Sequence, residues 1–206
     1  MINLDHIVYA TLDFKKSLDT IEAAIGVRPT IGGRHLNHGT KNALLNLGNH
    51  SYFEILAIDE TNNSIEGDRW MGIDLITQNT ATRWAFKSKH IEAKAEILNS
   101  INPNYGQLIT GERQRPDQSF LRWEMTLPLA KPAVDLVPFY INWEMANHPC
   151  DQLKTVVQLE DLKLKYPNVE VVNSYFKRLG IPEMVLFDVQ PSISGIITGP
   201  AGSFLF

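Results

Sequence analysis

The feature that most restricts the fold of this chain is a repeated order of secondary structure. Residues 4–10 form an apolar run that predicts a strand, and Thr11 follows as a residue suited to cap a helix. Four apolar residues then have the spacing of one helical face: Phe14, Leu18, Ile21 and Ile25. Gly26 stands where this helix would end, because glycine adopts the left-handed conformation at low cost. Three more strand-like runs follow, at residues 31–35, 42–47 and 52–56.

The same order begins again at residues 81–86. Ser88 is suited to cap the next helix, whose apolar face carries Ile91, Ala95 and Leu98. Strands are predicted after it, at residues 107–109, 120–125 and 138–143. A shorter third copy has a strand at residues 159–166 and a helix between Asn168 and Gly180. Its remaining strands are predicted at residues 184–189, 193–197 and 203–206.

Helices kept to one side of mostly antiparallel strands predict an α+β fold. We divide the chain into a first module at residues 1–57, a linker at 58–80 that packs on the core, a second module at 81–150 and a partial third module at 151–206.

Composition and charge exclude several classes of protein. The 206 residues correspond to one or two domains of about 150 residues each. With 19 Lys+Arg against 23 Asp+Glu, the net charge of −4 argues against a nucleic-acid partner. Neither a signal peptide nor an apolar run of roughly 20 residues is visible, so no membrane association is expected. The lone Cys150, beside Asp151, is a poor nucleophile and is typical of the reducing cytoplasm.

Several short motifs resemble one known family. They are DHIV at residues 5–8, GGRH at 32–35, GTKNALL at 39–45, YFEI at 52–55, RQRPD at 113–117, LRW at 121–123 and PFYINW at 138–143. In combination they are similar to the glyoxalase-like group of the vicinal oxygen chelate superfamily, over most of residues 1–150.

The resemblance implies paired βαβββ modules that form a curved mixed sheet, with helices outside and the site in the concave face. The shorter C-terminal βαββ(β) module would add to this pair. Metal-dependent members of the superfamily take His, Gln or Glu ligands from the first and last strands of each module. Its members include glyoxalases, dioxygenases, epimerases, thiol transferases and metal-free antibiotic-binding proteins, so the fold does not determine the reaction.

In the first module, His6 and Glu54 fall on the ligand positions that the resemblance implies. Aligning the two predicted helix starts puts Arg83 opposite His6 and Asn142 near Glu54. Arginine has no lone pair for a cation, so the family's four-ligand set is broken.

A third ligand could come from Glu144, or from His35 or His38 in the first module. With it, the site would hold a divalent ion such as zinc, iron or manganese and keep one open position. The alternative is that His6 is a hydrogen-bonded sheet histidine and Glu54 pairs with an arginine.

A group of arginines predicts an anion site, because guanidinium groups bind carboxylate or phosphate bidentately. The group comprises Arg113, Arg115 and Arg122, joined by Arg34 and Arg83 if these face the same cavity. The alternative is that three of them pair with acidic neighbours, namely Glu112, Asp117 and Glu124.

The remaining predicted substrate contacts are Asn42, Trp143 and His148, of which His148 could serve as an acid or base. For Trp143, a place in the core is the simpler alternative. The leading hypothesis is an enzyme of lyase, isomerase or dioxygenase type acting on a small anionic or oxygen-rich metabolite. In it, His6 and Glu54 are ligands or an acid–base pair, and His35 assists. The competing hypothesis is a metal-free protein that binds a small molecule without chemistry. A homodimer is compatible with either.

Overall fold

The predicted order of strands and helices is present in the computed structural model, which describes residues 3–144, 146–153 and 156–206. The first module contains β1 (Leu4–Ala10), α1 (Phe14–Ile25), β2 (Thr30–His35), β3 (Thr40–Gly48) and β4 (Ser51–Ile58). The second contains β5 (Thr80–Lys87), α2 (Ile91–Ile101), β6 (Leu108–Gln114), β7 (Phe120–Thr126) and β8 (Phe139–Asn142). The third contains β9 (Gln158–Tyr166), α3 (Val169–Leu179), β10 (Val185–Phe187), β11 (Ser192–Gly199) and β12 (Gly202–Leu205).

The first two modules close into one barrel. Within each module, the first and last strands pair in parallel and the middle strands are antiparallel. The modules join through an antiparallel β1–β5 pairing on one side and β2–β6 on the other, in the order β1-β4-β3-β2-β6-β7-β8-β5. This confirms the predicted α+β fold with paired βαβββ modules in a curved sheet.

The β2–β6 seam depends on a glycine. Only Arg34 and Gln114 pair there, beside Gly33, whose φ of 144° lies in the region that favours glycine. A Cβ atom at Gly33 would lie 2.0 Å from the carbonyl oxygen of Gln114. The two modules therefore approach closely because position 33 has no side chain.

The third module extends the same sheet beyond the barrel. Strand β11 pairs with β5 through Ile193 and Ala81, and it continues antiparallel to β9 and β12. The module boundaries at residues 57, 80 and 150 stay a prediction. Within the described residues, no helix is long and apolar enough to cross a membrane.

Helix caps were predicted with mixed success. Helix α1 is capped by Asp13, whose side chain accepts a first-turn N–H, and not by Thr11. At α2 the cap position is His90, which makes no side-chain capping bond, while Ser88 lies two residues earlier and accepts the N–H of His90. The predicted Asn168 cap of α3 is confirmed.

Strand alternation separates two apolar layers, because successive side chains of a strand point to opposite faces. In β1, Ile7 and Tyr9 contact the layer beneath the helices, and Val8 belongs to the layer inside the barrel. The inner layer also receives Trp70 and Met71 from the segment between β4 and β5. Its other members are Leu56, Ala85, Leu121, Trp123, Met125, Phe139 and Ile141.

Candidate active site

A small polar cavity lies within the inner layer of the barrel. Its free space is about 20 Å³, which is enough for one water molecule. Apolar walls come from Trp70, Met71, Trp123, Met125, Phe139, Ile141 and Trp143. The polar side chains that line it are His6, His35, Asn42, Tyr52, Glu54 and Arg113. All six are buried, so their charges and hydrogen bonds are only weakly screened by water.

Asp5 orients His6 from behind. The Asp5 carboxylate is fully buried, and its Oδ1 lies 2.6 Å from Nδ1 of His6. Its Oδ2 accepts hydrogen bonds from Nε1 of Trp143 at 2.9 Å and from Nε2 of His148 at 3.3 Å. Burial raises the pKa of Asp5, but the hydrogen bonds from His148 and His6 outweigh it and lower the pKa to about 2. Asp5 is therefore ionised at neutral pH, with three donors on one carboxylate.

The hydrogen bonds assign the protons of the two imidazole rings. In His148, Nδ1 accepts the backbone N–H of Cys150 at 3.2 Å, so the proton lies on Nε2 and is donated to Asp5. In His6, Nδ1 must donate because the ionised Asp5 is only an acceptor. The Nε2 atom of His6, which lies on the Glu54 side of the ring, therefore carries the lone pair when the ring is neutral.

His6 and Glu54 form a pair across the cavity. Nε2 of His6 lies 3.5 Å from Oε2 of Glu54, and Oε1 of Glu54 accepts a hydrogen bond from Nδ2 of Asn42 at 2.5 Å. A neutral imidazole nitrogen and a carboxylate oxygen would face each other as two acceptors. A proton carried by one of the two atoms would remove this conflict, so the pair can serve as a general acid and base.

Arg113 carries a buried positive charge with few hydrogen-bond partners. Its Nη1 donates to Oδ1 of Asn42 at 3.4 Å, while its Nε is buried without a hydrogen-bond partner. No described carboxylate lies within ion-pair distance of it. Burial lowers the pKa of Arg113, but a guanidinium stays charged at neutral pH. This group is suited to bind an anionic oxygen inside the cavity.

His35 lines the same cavity as a neutral ring. Burial, and after it the charge of Arg113, lowers the pKa of His35 well below its usual value. Nδ1 of His35 lies 3.0 Å from Oγ1 of Thr40, which also accepts Nε1–H of Trp70 at 3.1 Å. The Thr40 hydroxyl therefore connects His35 to Trp70 and holds the imidazole ring in place.

Several predicted substrate-binding arginines lie elsewhere. Arg34 pairs with Asp59, and Arg122 pairs with Glu112 at 3.1 Å on the surface. Arg115 begins the turn between β6 and β7 and does not line the cavity. None of these three residues lines the cavity, and their contact with substrate stays a prediction.

Arg83 is buried in the barrel but does not line this cavity. Its guanidinium donates to the backbone carbonyls of Thr82 (2.7 Å), Leu129 (2.9 Å), Pro132 (2.6 Å) and Ala133 (3.0 Å). These carbonyls occupy the donors that a substrate anion would need. Arg83 therefore holds the segment between β7 and β8 against the barrel and does not line the cavity, so its contact with substrate stays a prediction.

Strand register shows which residue of the second module corresponds to His6. Val8 pairs with Arg83, and His6 pairs with Ala85. This register is compatible with the predicted alignment of His6 with Arg83, because a two-fold relation through the intervening pair Ile7–Trp84 would exchange these two residues.

The same register identifies the counterpart of Glu54. Glu54 pairs with Val8, and Phe139 pairs with Ala85, so Phe139 and not Asn142 takes the position of Glu54. Phe139 lines the cavity with its ring edge-on to His6.

The described residues do not form a metal site with three protein ligands. Glu144 is exposed and does not line the cavity, and the second module offers Arg83 and Phe139 at the two ligand positions. Among residues 3–144, 146–153 and 156–206, no group of three His, Cys, Asp or Glu side chains could hold a metal ion. His6 and Glu54 alone do not meet the requirement of a catalytic zinc-type site.

Trp143 separates the cavity from a larger outer pocket. This outer pocket has a volume of about 440 Å³ and shares Ile141 and Trp143 with the inner cavity. His148 lines its wall and, like Trp143, is hydrogen-bonded to Asp5. The predicted contacts Trp143 and His148 thus lie between solvent and the His6–Glu54 pair. His50 and Asp151 also line the outer pocket, 3.6 Å apart.

The sequence analysis did not predict that Asp5 orients His6 or that Trp70 lines the cavity. Asp5 precedes His6 on a strand, where neighbouring side chains normally point to opposite faces. A register irregularity of β1 against β5 lies between Leu4 and His6. The acidic residue directly before a strand histidine was the available signal.

A barrel of two βαβββ modules around a buried His–Glu pair is the architecture of the vicinal oxygen chelate superfamily. The glyoxalase-like domain family matches residues 4–180, and the chain belongs to this family. No curated protein matches the chain.

Solved structures share this fold at low sequence identity. A hypothetical protein from Staphylococcus aureus is 17% identical, with 100% of this chain and 84% of that chain covered and a TM-score of 0.62. A triple mutant of 4-hydroxymandelate synthase from Streptomyces coelicolor is 11% identical, with 99% and 62% covered and a TM-score of 0.52. Methylmalonyl-CoA epimerase from Mycobacterium tuberculosis is 16% identical, with 68% and 87% covered and a TM-score of 0.45. The first two similarities, with TM-scores of 0.62 and 0.52, show the fold alone and leave the reaction open.

Proposed function

We propose that this protein is an enzyme that transfers a proton at a carbon next to the carboxylate or carbonyl group of a small anionic substrate. The observation that carries the proposal is the cavity lined by His6, Glu54 and Arg113, in which His6 is held from behind by the buried Asp5 and Arg113 has no ion pair among the described residues. No step of this reaction is assigned to a metal, because the described residues do not supply a third ligand.

His6 is the base in this proposal. The Glu54 carboxyl, which carries the proton of the pair, turns from Nε2 of His6 toward the substrate. The freed Nε2 takes the proton from the substrate carbon, and the electron pair of the broken C–H bond moves toward the substrate oxygen. Asp5 stays ionised and stabilises the imidazolium that forms, because its Oδ1 holds Nδ1 at 2.6 Å. Glu54 gives its proton to the substrate carbon, and a proton transfer from the imidazolium to the Glu54 carboxylate restores the pair.

Arg113 stabilises the charge that develops on the substrate oxygen. In a buried site a fixed guanidinium acts strongly on such a charge, since little water competes with it. Its free Nε and weakly bonded Nη1 leave donors for two oxygen atoms. Asn42 is hydrogen-bonded to both Arg113 and Glu54. It therefore fixes the distance between Arg113, which binds the anion, and Glu54, which is the acid.

Access to the cavity requires a movement of Trp143. The free space of about 20 Å³ is too small for a substrate, and the half-buried indole of Trp143 forms the wall toward the outer pocket. Displacement of this ring breaks one hydrogen bond, that of Nε1 to Asp5. The reacting end of the substrate then takes the place of the indole beside His6.

The test is a proton-exchange screen. Small carboxylic acids with an acidic α-hydrogen are incubated with the protein in D₂O, and the loss of the α-proton signal is followed by NMR. We expect one or more acids to exchange, and Glu54→Gln to slow the exchange by about 10²- to 10⁴-fold, the usual contribution of a general acid or base. Glu96→Gln, the same change at an exposed glutamate that lines neither the cavity nor the pockets beside it, is the matched control.

Two results would contradict the proposal. Exchange that survives in Glu54→Gln at the wild-type rate would remove Glu54 from the chemistry. Stoichiometric divalent metal in protein purified without chelator, lost in His6→Ala, would replace the acid–base scheme by a metal-dependent one. An acid that stabilises the wild type but not Arg113→Met, and that never exchanges, would favour the binding protein without chemistry.

A further inference from the structure

A second large cavity lies next to the outer pocket, and three lysines line it. It has a volume of about 610 Å³ and is formed by the end of β5, the start of α2 and the residues that follow α3. We call it the lysine groove, defined by Lys87, Lys89 and Lys94 together with Asn3, Phe86, Ser88, His90, Tyr140, Leu179, Gly180, Ile181 and Pro182. None of these residues is acidic, although the chain carries a net charge of −4.

The lysine ammonium groups have donors left over. Nζ of Lys87 donates to the backbone carbonyls of Asn49, at 3.0 Å, and of His50. Nζ of Lys94 donates to the carbonyl of Leu179 at 2.9 Å and lies over the ring of Tyr140. An ammonium has three donors, so each group retains at least one.

The positive charge of the groove is not neutralised by the protein. Among the described residues, Lys87, Lys89 and Lys94 form no ion pair with a carboxylate, whereas Lys15 and Lys163 at other surfaces do. Carbonyl oxygens satisfy hydrogen bonds without cancelling charge.

The groove is continuous with the candidate active site. It shares four residues with the outer pocket: Asn3, Lys87, Ser88 and Lys89. The outer pocket in turn shares Trp143 with the inner cavity. A ligand whose reacting end lies beside His6 would therefore pass Trp143 and reach the lysines with its other end.

We propose that the lysine groove binds the phosphate groups of an extended substrate whose reacting end lies in the inner cavity. Three unneutralised point charges match a ligand that carries several negative charges close together, which a chain of phosphates supplies and a single carboxylate does not. A volume of about 610 Å³ is within the range of small-molecule sites. The link to the inner cavity rests on the proposed function, while the phosphate site itself can be tested without it.

The experiment measures binding of inorganic tripolyphosphate by calorimetry at low ionic strength. We expect one ligand per chain in the wild type, and at least ten-fold weaker binding in the double variant Lys89→Glu, Lys94→Gln. Lys15→Glu, which changes the charge as much as Lys89→Glu does but at an exposed lysine outside the groove, should bind like the wild type. Circular dichroism of each variant checks that it is folded. If the double variant does not fold, the single variant Lys89→Glu, at an exposed position, replaces it in the measurement.

Three outcomes of these measurements distinguish the phosphate site from the proposed reaction. Equal affinity in the wild type and in the lysine variant, or no binding at millimolar tripolyphosphate, would overturn the phosphate site. Citrate binding as tightly as tripolyphosphate would overturn its preference for phosphate. Retained tripolyphosphate binding in Glu54→Gln is expected whether or not the proposed reaction exists, so a failure of that reaction is distinguishable from a failure of the groove.

Discussion

The Asp5 carboxylate is the most informative single position, because it holds three donors from three parts of the chain. Asp5→Asn keeps the shape of the side chain but removes the charge and leaves one carbonyl oxygen for His6, Trp143 and His148. At least one buried donor then loses its partner, at a cost of about 1–3 kcal/mol.

The size of the expected loss of stability follows from the pKa of Asp5. A lowering from 3.8 to about 2 corresponds to roughly 2.5 kcal/mol of folding free energy. Because the folded pKa lies below the unfolded one, this contribution is complete above about pH 5 and is lost as the pH falls toward 2. We expect Asp5→Asn to reduce the free energy of unfolding by about 3 kcal/mol at pH 7, which for a chain of this length lowers Tm by roughly 6–12 °C.

The assay is urea unfolding of the wild type and the variant between pH 7 and pH 3. The difference between the two proteins should shrink as the pH falls, since the wild type loses the charge that the variant lacks. Asp161→Asn, at an exposed carboxylate paired with Lys163, is the control and should change stability by less than about 0.5 kcal/mol. A variant as stable as the wild type at pH 7, or a difference independent of pH, would refute the role assigned to Asp5.

Three other predictions concern buried groups. Arg113→Met should raise the free energy of unfolding by about 1 kcal/mol in urea titrations, because it replaces a buried charge that has one long hydrogen bond; a loss of stability would show that Arg113 has a structural task. Arg83→Met should lower it by about 3–5 kcal/mol in the same measurement, since four carbonyls lose their donors, and an unchanged midpoint would contradict this. Burial raises the pKa of the Cys150 thiol to about 12, so a thiol reagent at pH 8 should label it only after unfolding; rapid labelling of the native protein, followed by absorbance, would be the contrary result.

Part of the candidate site was predictable from the sequence. His6, Glu54, Asn42 and Arg113 lie in strands, where alternation predicts the face on which each side chain lies, and the structure brings all four to one cavity. Their selection came from the resemblance of short motifs to the glyoxalase-like group. For Arg83, three of its four carbonyl partners were not predicted, because they lie some fifty residues further along the chain.

By itself, the sequence determined the order of strands and helices, the apolar faces of the helices and the repetition of the βαβββ unit. These depend on spacings of two to four residues, which local geometry converts into structure. The tertiary structure alone decided that the modules close into a barrel and that Arg113, unlike Arg34 or Arg122, has no acidic partner in the part of the chain that the structure describes. The charges and carbonyls that meet a buried side chain come from distant segments, and only the closed barrel brings these segments together.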